Sequence, residues 1–175
     1  MNDAQQHVRV PAGGVELAGA IASGLRVMLD ASALLKRYAA EAGHDRLLEL
    51  FAQADGLLVA AHCQSEVAAA LLRRRRDCNL PKAEFERVWV AARRDLADMV
   101  RVPLDDHVER FAFAAMEHEQ LRVTDALHVG SALAANVDLF VTADRRLAQV
   151  ARWMGLPAEC LDAVVQTNRE EEMNP

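Results

Sequence analysis

The sequence predicts an α/β fold with a central, mostly parallel sheet covered by helices on both faces. Three observations carry that prediction. Short apolar runs alternate with longer stretches at helical spacing between residues 25 and 162, the pattern of a parallel sheet with crossover helices. Two of the runs, "LRVMLDAS" and "DLFVTADRRL", climb through apolar residues and end at Asp30 and Asp144. With 175 residues, 52% of them hydrophobic, the chain suits one domain with one sizeable core.

The elements follow in order. Residues 25–29 read as a strand. "ASALLKRYAAEAG" reads as a helix ending near Gly43, and a second helix runs through about Gln53. "GLLVAA", from Gly56, is a short strand, and "QSEVAAALLRRRRDC" is helical because Ala, Leu and Arg favour that state. Asn79 and Pro81 mark a new helix start, with proline near its first turn. Phe85, Val88, Trp89, Ala92 and Leu96 keep helical spacing along it. "MVRV" is a short strand, and "DDHVERFAFAAMEHE" is a helix capped by Asp105 or Asp106. Thr124 or Asp125 opens a further helix through Ala135. "DLFVT" is a strand, Arg145 to Met154 a helix, and "AECL" a last strand.

The expected organisation is an N-terminal extension (1–24), one domain (25–162) and a polar, acidic tail (163–175). Four of the eight glycines fall in the extension, which has no clear period. Met28, just ahead of Asp30, raises a start inside this chain as an alternative, which mass spectrometry of the native protein would settle. The net charge of −6 argues against coating nucleic acid by charge alone, although it does not exclude a nuclease whose acids bind cations. Cys63, Cys78 and Cys160 form neither a CxxC pair nor an even set, which fits a reducing cytoplasm. The apolar stretch from Val10 to Leu29 is broken by Glu16 and Arg26 and lacks a basic leader, so neither a signal peptide nor a membrane span is expected.

In parallel sheets, ligands bind beyond the carboxyl ends of the strands. Asp30 and Asp144 lie at such ends, Glu66 sits in the first turn of the helix after the second strand, and Asp125 begins a helix. All four acids can therefore face one sheet edge. Gathered without counter-charge they would repel, and some of their pKa values would rise. A hard dication removes that conflict. Mg²⁺ takes carboxylate oxygens and keeps several waters, and Mn²⁺ suits the same ligands. Taken singly, each acid is more simply a helix cap or a solvated side chain.

"MLDASALLKRY", "SEVAAALLRR", "VTDALHVGSAL" and "DLFVTADRRL" resemble the successive motifs of PIN-domain ribonucleases, closest to the VapC-type toxins of bacterial toxin–antitoxin pairs. The resemblance spans about residues 26 to 161, and its last two motifs are the specific part. It implies a three-layer α/β/α sandwich and Mg²⁺- or Mn²⁺-dependent endonucleolytic cleavage of RNA, leaving a 5′-phosphate and a 3′-hydroxyl. It implies Asp30, Glu66, Asp125 and Asp144 as catalytic, metal-binding acids, and a small antitoxin as partner. The extension is unusual for such toxins, and Ala31 stands where threonine is common.

Ser32 and Thr142 are supporting candidates, two residues from Asp30 and Asp144, whose hydroxyls could orient a metal ligand or cap locally. Arg145 and Arg146 are candidate RNA contacts, one for substrate phosphate and one to pair with a carboxylate. Arg73 and Arg74 are weaker candidates in a four-arginine run that sweeps around its helix. His62 with Glu66, and Asp125 with His128, have the spacing of metal ligands on one helix face, but packing or hydrogen bonding is the expectation for both histidines. Thr124 is expected to cap its helix, and Phe85 and Trp89 to belong to the core or a dimer face, a homodimer being expected from apolar helix surfaces. The rival from another class is a binding module with a silent site. A phosphatase of the DxD type is disfavoured by Asp30-Ala31-Ser32. A receiver is disfavoured because the only lysines are Lys36 and Lys82, and a dinucleotide fold because no GxGxxG follows a strand.

Overall fold

The computed structural model describes residues 24–77 and 80–163. The expectations for the extension before residue 24, for Cys78 and Asn79, and for the tail from residue 164 lie outside the described residues. Five strands, β1 (Arg26–Leu29), β2 (Gly56–Ala60), β3 (Val100–Val102), β4 (Leu139–Thr142) and β5 (Ala158–Cys160), form one parallel sheet in the order β3-β2-β1-β4-β5. Among the described residues seven α-helices cover it: α1 (Ala31–Leu35), α2 (His44–Gln53), α3 (Cys63–Asp77), α4 (Lys82–Asp98), α5 (Asp106–His118), α6 (Val123–Ala134) and α7 (Arg145–Trp153).

The pleat divides the core in two. Val27, Leu29, Val59 and Val141 face the layer of α1 to α4, where Leu34, Leu47, Leu50, Val67 and Leu96 bury their side chains. Met28, Leu58 and Phe140 face α5 to α7 and meet Val108, Val129, Leu147 and Val150. Met28 stands beside Leu58 on one neighbouring strand and Phe140 on the other, so β1 is the centre of the sheet. This is the α/β/α sandwich expected. The chain winds outward from β1 through β2 to β3, then returns across to β4, so the strand order reverses at β1 and β4 and opens a crevice at their carboxyl ends.

The single helix expected over residues 31–43 is broken. α1 ends at Leu35, a 3-10 turn covers Lys36–Tyr38, and Ala39 is extended. Tertiary pairs override the helical preference of this alanine-rich stretch. Lys36 is buried against Asp162 at 2.7 Å, while Arg37 and Tyr38 both reach the Asp95 carboxylate on α4, at 2.6 and 2.9 Å. Gly43 therefore starts α2 instead of ending the preceding helix. Its φ is +87°, and a Cβ there would stand 2.7 Å from that of Leu161. Pro81 is the N-cap of α4 and not its first helical residue. Asp105, one of the two expected caps of α5, accepts the amides of His107 and Val108, each at 3.0 Å.

α5 and α6 form a tight antiparallel hairpin over Gly130. A Cβ at Gly130 would lie 2.5 Å from the Val108 carbonyl oxygen and 2.9 Å from the Ala112 nitrogen. This close approach sets the position of α6, and with it Asp125 and His128.

Candidate active site

Asp30 leaves β1 and caps α1, its Oδ1 accepting the Ala33 amide at 2.7 Å. The capping reading is thus correct, but it does not exhaust the residue. Asp30 is only 4% exposed. Ser32 Oγ stands 2.8 and 2.9 Å from its two oxygens, and the Thr142 hydroxyl donates to Oδ2 at 2.6 Å. Both hydroxyls are held in turn from the β4 side. Ala143 N–H donates to Ser32 Oγ at 2.9 Å, and Asp144 N–H donates to Thr142 Oγ1 at 2.9 Å. Ser32 and Thr142 therefore lace the turn that carries Asp144 onto the carboxylate of Asp30. Burial pushes the Asp30 carboxyl above its ordinary range, against the charge of His128 and the hydrogen bonds from Thr142, Ala33 and Ser32.

Asp144 caps α7, with Oδ1 accepting the amides of Arg146 at 2.8 Å and Leu147 at 3.2 Å, and the residue is exposed at the sheet edge. Asp125 sits in the first turn of α6. Partial burial raises its pKa, and the charges of Glu66 and Asp144 add to the rise, while those of His128 and Arg122 oppose it. Glu66, in the first turn of α3, meets His128 Nε2 at 2.5 Å and His62 Nε2 at 3.7 Å. Its burial would raise its pKa, but the hydrogen bond and charge of His128, a hydrogen bond from Thr124 and the charge of His62 outweigh this and hold it low. His128 is 2% exposed, and its Nδ1 has no hydrogen-bond partner among the described residues. The His62 pKa is lowered, chiefly by burial and then by the charge of His128.

One cavity of about 210 Å³ is lined by Asp30, Ser32, Glu66, Asp125 and His128, with Arg73 and Arg122 on its wall. Three of the four expected acids thus share a cavity, and the fourth lies close enough to Asp125 to shift its titration. The acids offer hard oxygens that are partly desolvated, which is the setting a dication relieves. Asp30, Asp125, Asp144 and Glu66 would hold it. The one close group of three such donors among the described residues shares only Glu66 with these acids: the donor atoms of His62, Glu66 and His128 lie within 4.8 Å of one another.

The remaining candidates separate. Arg146 pairs with Glu119, as expected of one of the two arginines after Asp144. Arg145 is likewise engaged, at the first position of α7. Along the four-arginine run, Arg73 faces the cavity, Arg74 approaches Glu41 at 3.6 Å, and Arg75 covers the Phe85 ring at 5.5 Å. Phe85 and Trp89 pack against the core, as expected. Thr124 does not cap α6. That position falls to Arg122, and Thr124 instead bonds Glu66 and offers its carbonyl to His62 at 3.1 Å. The sequence reading missed Arg122 altogether. A signal existed, since a cation at a helix start opposes the helix dipole and calls for another reason to be there.

The PIN domain sequence profile matches residues 27–152. No curated protein sequence matches the chain. Among solved structures, PAE2754 from Pyrobaculum aerophilum is similar with a TM-score of 0.60 at 15% identity, covering 82% of this chain and 94% of that one. VapC20 of Mycobacterium tuberculosis, described as a sarcin-ricin loop cleaving toxin, gives a TM-score of 0.54 at 15% identity, covering 70% and 93%. VapBC-5 of the same organism, described as a member of the VapBC family of toxin–antitoxin systems, gives 0.54 at 18%, covering 78% and 97%. At these identities the structures establish a shared fold. With the profile spanning β1 through α7 and the acids gathered at the carboxyl edge of that fold, the chain belongs to the PIN domain family.

Proposed function

We propose that this protein is a divalent-metal-dependent endoribonuclease and the toxin of a toxin–antitoxin pair. The observation that supports this best is the convergence of Asp30, Glu66 and Asp125 on one cavity, with Asp144 tied to Asp30 through Thr142. Bound Mg²⁺ or Mn²⁺ would supply Lewis-acid polarisation of a phosphodiester and lower the pKa of a water for in-line attack. The chain's own residues do the rest. Asp30, Asp125 and Asp144 present the oxygens for the ion. Ser32 and Thr142 keep the Asp30 carboxylate turned into the cavity and couple its position to Asp144. Glu66, held low in pKa by its surroundings, accepts a hydrogen bond from a water near phosphorus, while His128 fixes its rotamer.

The antitoxin part rests on similarity to solved toxin–antitoxin complexes, among them one from Klebsiella pneumoniae (TM-score 0.51) and VapBC2 from Rickettsia felis (0.57). Exposed apolar side chains on α4, α5 and α7, namely Val90, Phe113 and Trp153, support a homodimer. Among the described residues no helix is long and apolar enough to cross a membrane.

The test is cleavage of total RNA by purified protein with Mg²⁺ or Mn²⁺, compared with Asp30→Asn and Asp144→Asn prepared identically. The expected result is activity in the wild type alone, lost on chelation. RNA retention by the wild type without cleavage, with all three proteins equally harmless in cells, would favour a binding module.

A further inference from the structure

Many arginines among the described residues are already engaged. Arg37 is bound to Asp95, Arg46 to Glu159, Arg74 to Glu41 and Arg146 to Glu119, and Arg26 and Arg152 donate to backbone carbonyls. Arg73 and Arg122 differ in place: Arg76, Arg93, Arg94 and Arg110 also lack a side-chain partner among the described residues, but none of them lines the acid cavity. They come from separate helices, α3 and the start of α6, both are exposed, and both line the cavity that holds Asp30, Glu66 and Asp125. Neither guanidinium makes a hydrogen bond or an ion pair with a described residue, although Arg122 lies near enough to Asp125 to lower its pKa.

From this arrangement we propose that Arg73 and Arg122 are a two-residue clamp for the substrate's backbone phosphate, and that this cavity reads the phosphate and not the base. The inference rests on the nuclease reading and adds substrate contacts to it. A guanidinium presents a fixed fork of donors that matches two phosphate oxygens, and two forks from separate helices orient one phosphodiester above the acids. The charge balance points the same way. With Asp144 beside them, four carboxylates against two guanidiniums leave the site negative, and a single dication offsets the excess. An anionic backbone is therefore admitted when metal is present. The cavity, about 210 Å³ in volume, has room for a phosphodiester, an ion and its waters. The only ring among the lining residues is His128, buried and occupied by Glu66, so no aromatic face is offered for stacking. Sequence preference must then come from contacts outside this cavity.

The test is fluorescence anisotropy with labelled oligouridylate and oligoadenylate over a series of KCl concentrations in Mg²⁺. The full chain carries Asp144→Asn as the parent, so that bound RNA persists. Each phosphate contact on a single strand contributes a slope of roughly −0.7 in log K against log salt. Arg73→Gln and Arg122→Gln are each expected to reduce the slope by about 0.7, and the double variant by about twice that, equally on both homopolymers. Lysine at either position should keep the slope and lose part of the affinity, because the charge remains and the fork does not. Arg76→Gln, removing an exposed charge from the same helix away from the cavity, should leave the slope unchanged. A parental slope in the double variant, or a loss that depends on the base, overturns the clamp. A parent that binds neither oligonucleotide overturns the clamp and the RNA reading together. Tight binding with the expected slope changes, beside a wild type that never cleaves, supports the clamp and sinks only the nuclease reading.

Discussion

Replacing Thr142 by valine tests the link between the two strand-end acids. Thr142 is fully buried, and valine matches its shape while removing the hydroxyl. Two groups lose a partner. The Asp30 carboxylate loses a 2.6 Å hydrogen bond, and hydrogen bonds to charged groups contribute about 1.5–3 kcal/mol. The Asp144 amide loses its acceptor, at a cost of about 1–3 kcal/mol for a fully buried group, and nearer 1 here because the amide is only partly buried. The sum is about 3 kcal/mol, on the order of a hundredfold in the folding constant. For a domain of this size that lowers Tm by roughly 6–12 °C. Thr142→Ser keeps the hydroxyl and sacrifices one methyl, so its loss should be nearer 1 kcal/mol. The assay is urea denaturation of the metal-free proteins at neutral pH. Because the Thr142 bond lowers the Asp30 pKa, its removal raises that pKa further. The gap between valine variant and wild type is then largest where Asp30 is ionised and narrows as pH falls through its folded pKa. A valine variant as stable as wild type, or less perturbed than the serine variant, would refute the coupling of the two acids through this hydroxyl.

Three further outcomes are expected. Because the Glu66 pKa is depressed on folding, its pairing contributes stability that is present above the ordinary value of 4.5 and lost as pH falls through the folded value. Glu66→Gln should flatten that part of the stability–pH curve, and an unchanged acid limb would contradict the assigned surroundings. Mg²⁺ at about 100 times its Kd should stabilise the wild type by roughly 2.7 kcal/mol, and Asp30→Asn should shrink the shift in Tm. An equal shift in both would place the ion elsewhere. Gly130→Ala forces a Cβ against the Val108 carbonyl and should cost about 1–3 kcal/mol despite alanine's better helix propensity, as read by thermal denaturation, whereas a stabilised variant would deny the close helix approach.

Asp30 and Asp144 were legible as site candidates because each ends an apolar run, and strand ends are visible in a linear pattern. Ser32 and Thr142 were legible as neighbours of those acids. Their cross-connection was not, because Ser32 is bonded from residue 143 and Thr142 bonds residue 30. The arginine run shows the same limit. Composition revealed four consecutive cations, yet only the packing of α3 against its surroundings sends Arg73 to the cavity, Arg74 to Glu41 and Arg75 to Phe85. His62 and Glu66 carry a visible spacing of four, but His128 joins them from a helix 62 residues away from Glu66.

By itself, then, the sequence determined the alternation of strands and helices, the two-layered burial of the sheet and the acids at its edge. These follow from side-chain period and polarity, which act over one or two turns of chain. Only the tertiary structure decided that the helix after β1 breaks at Leu35, that Thr124 serves Glu66 instead of capping, and that Arg122 and Arg73 line one cavity. Those outcomes depend on strand order and helix placement, where long-range pairs such as Lys36 with Asp162 outweigh the weaker local preferences.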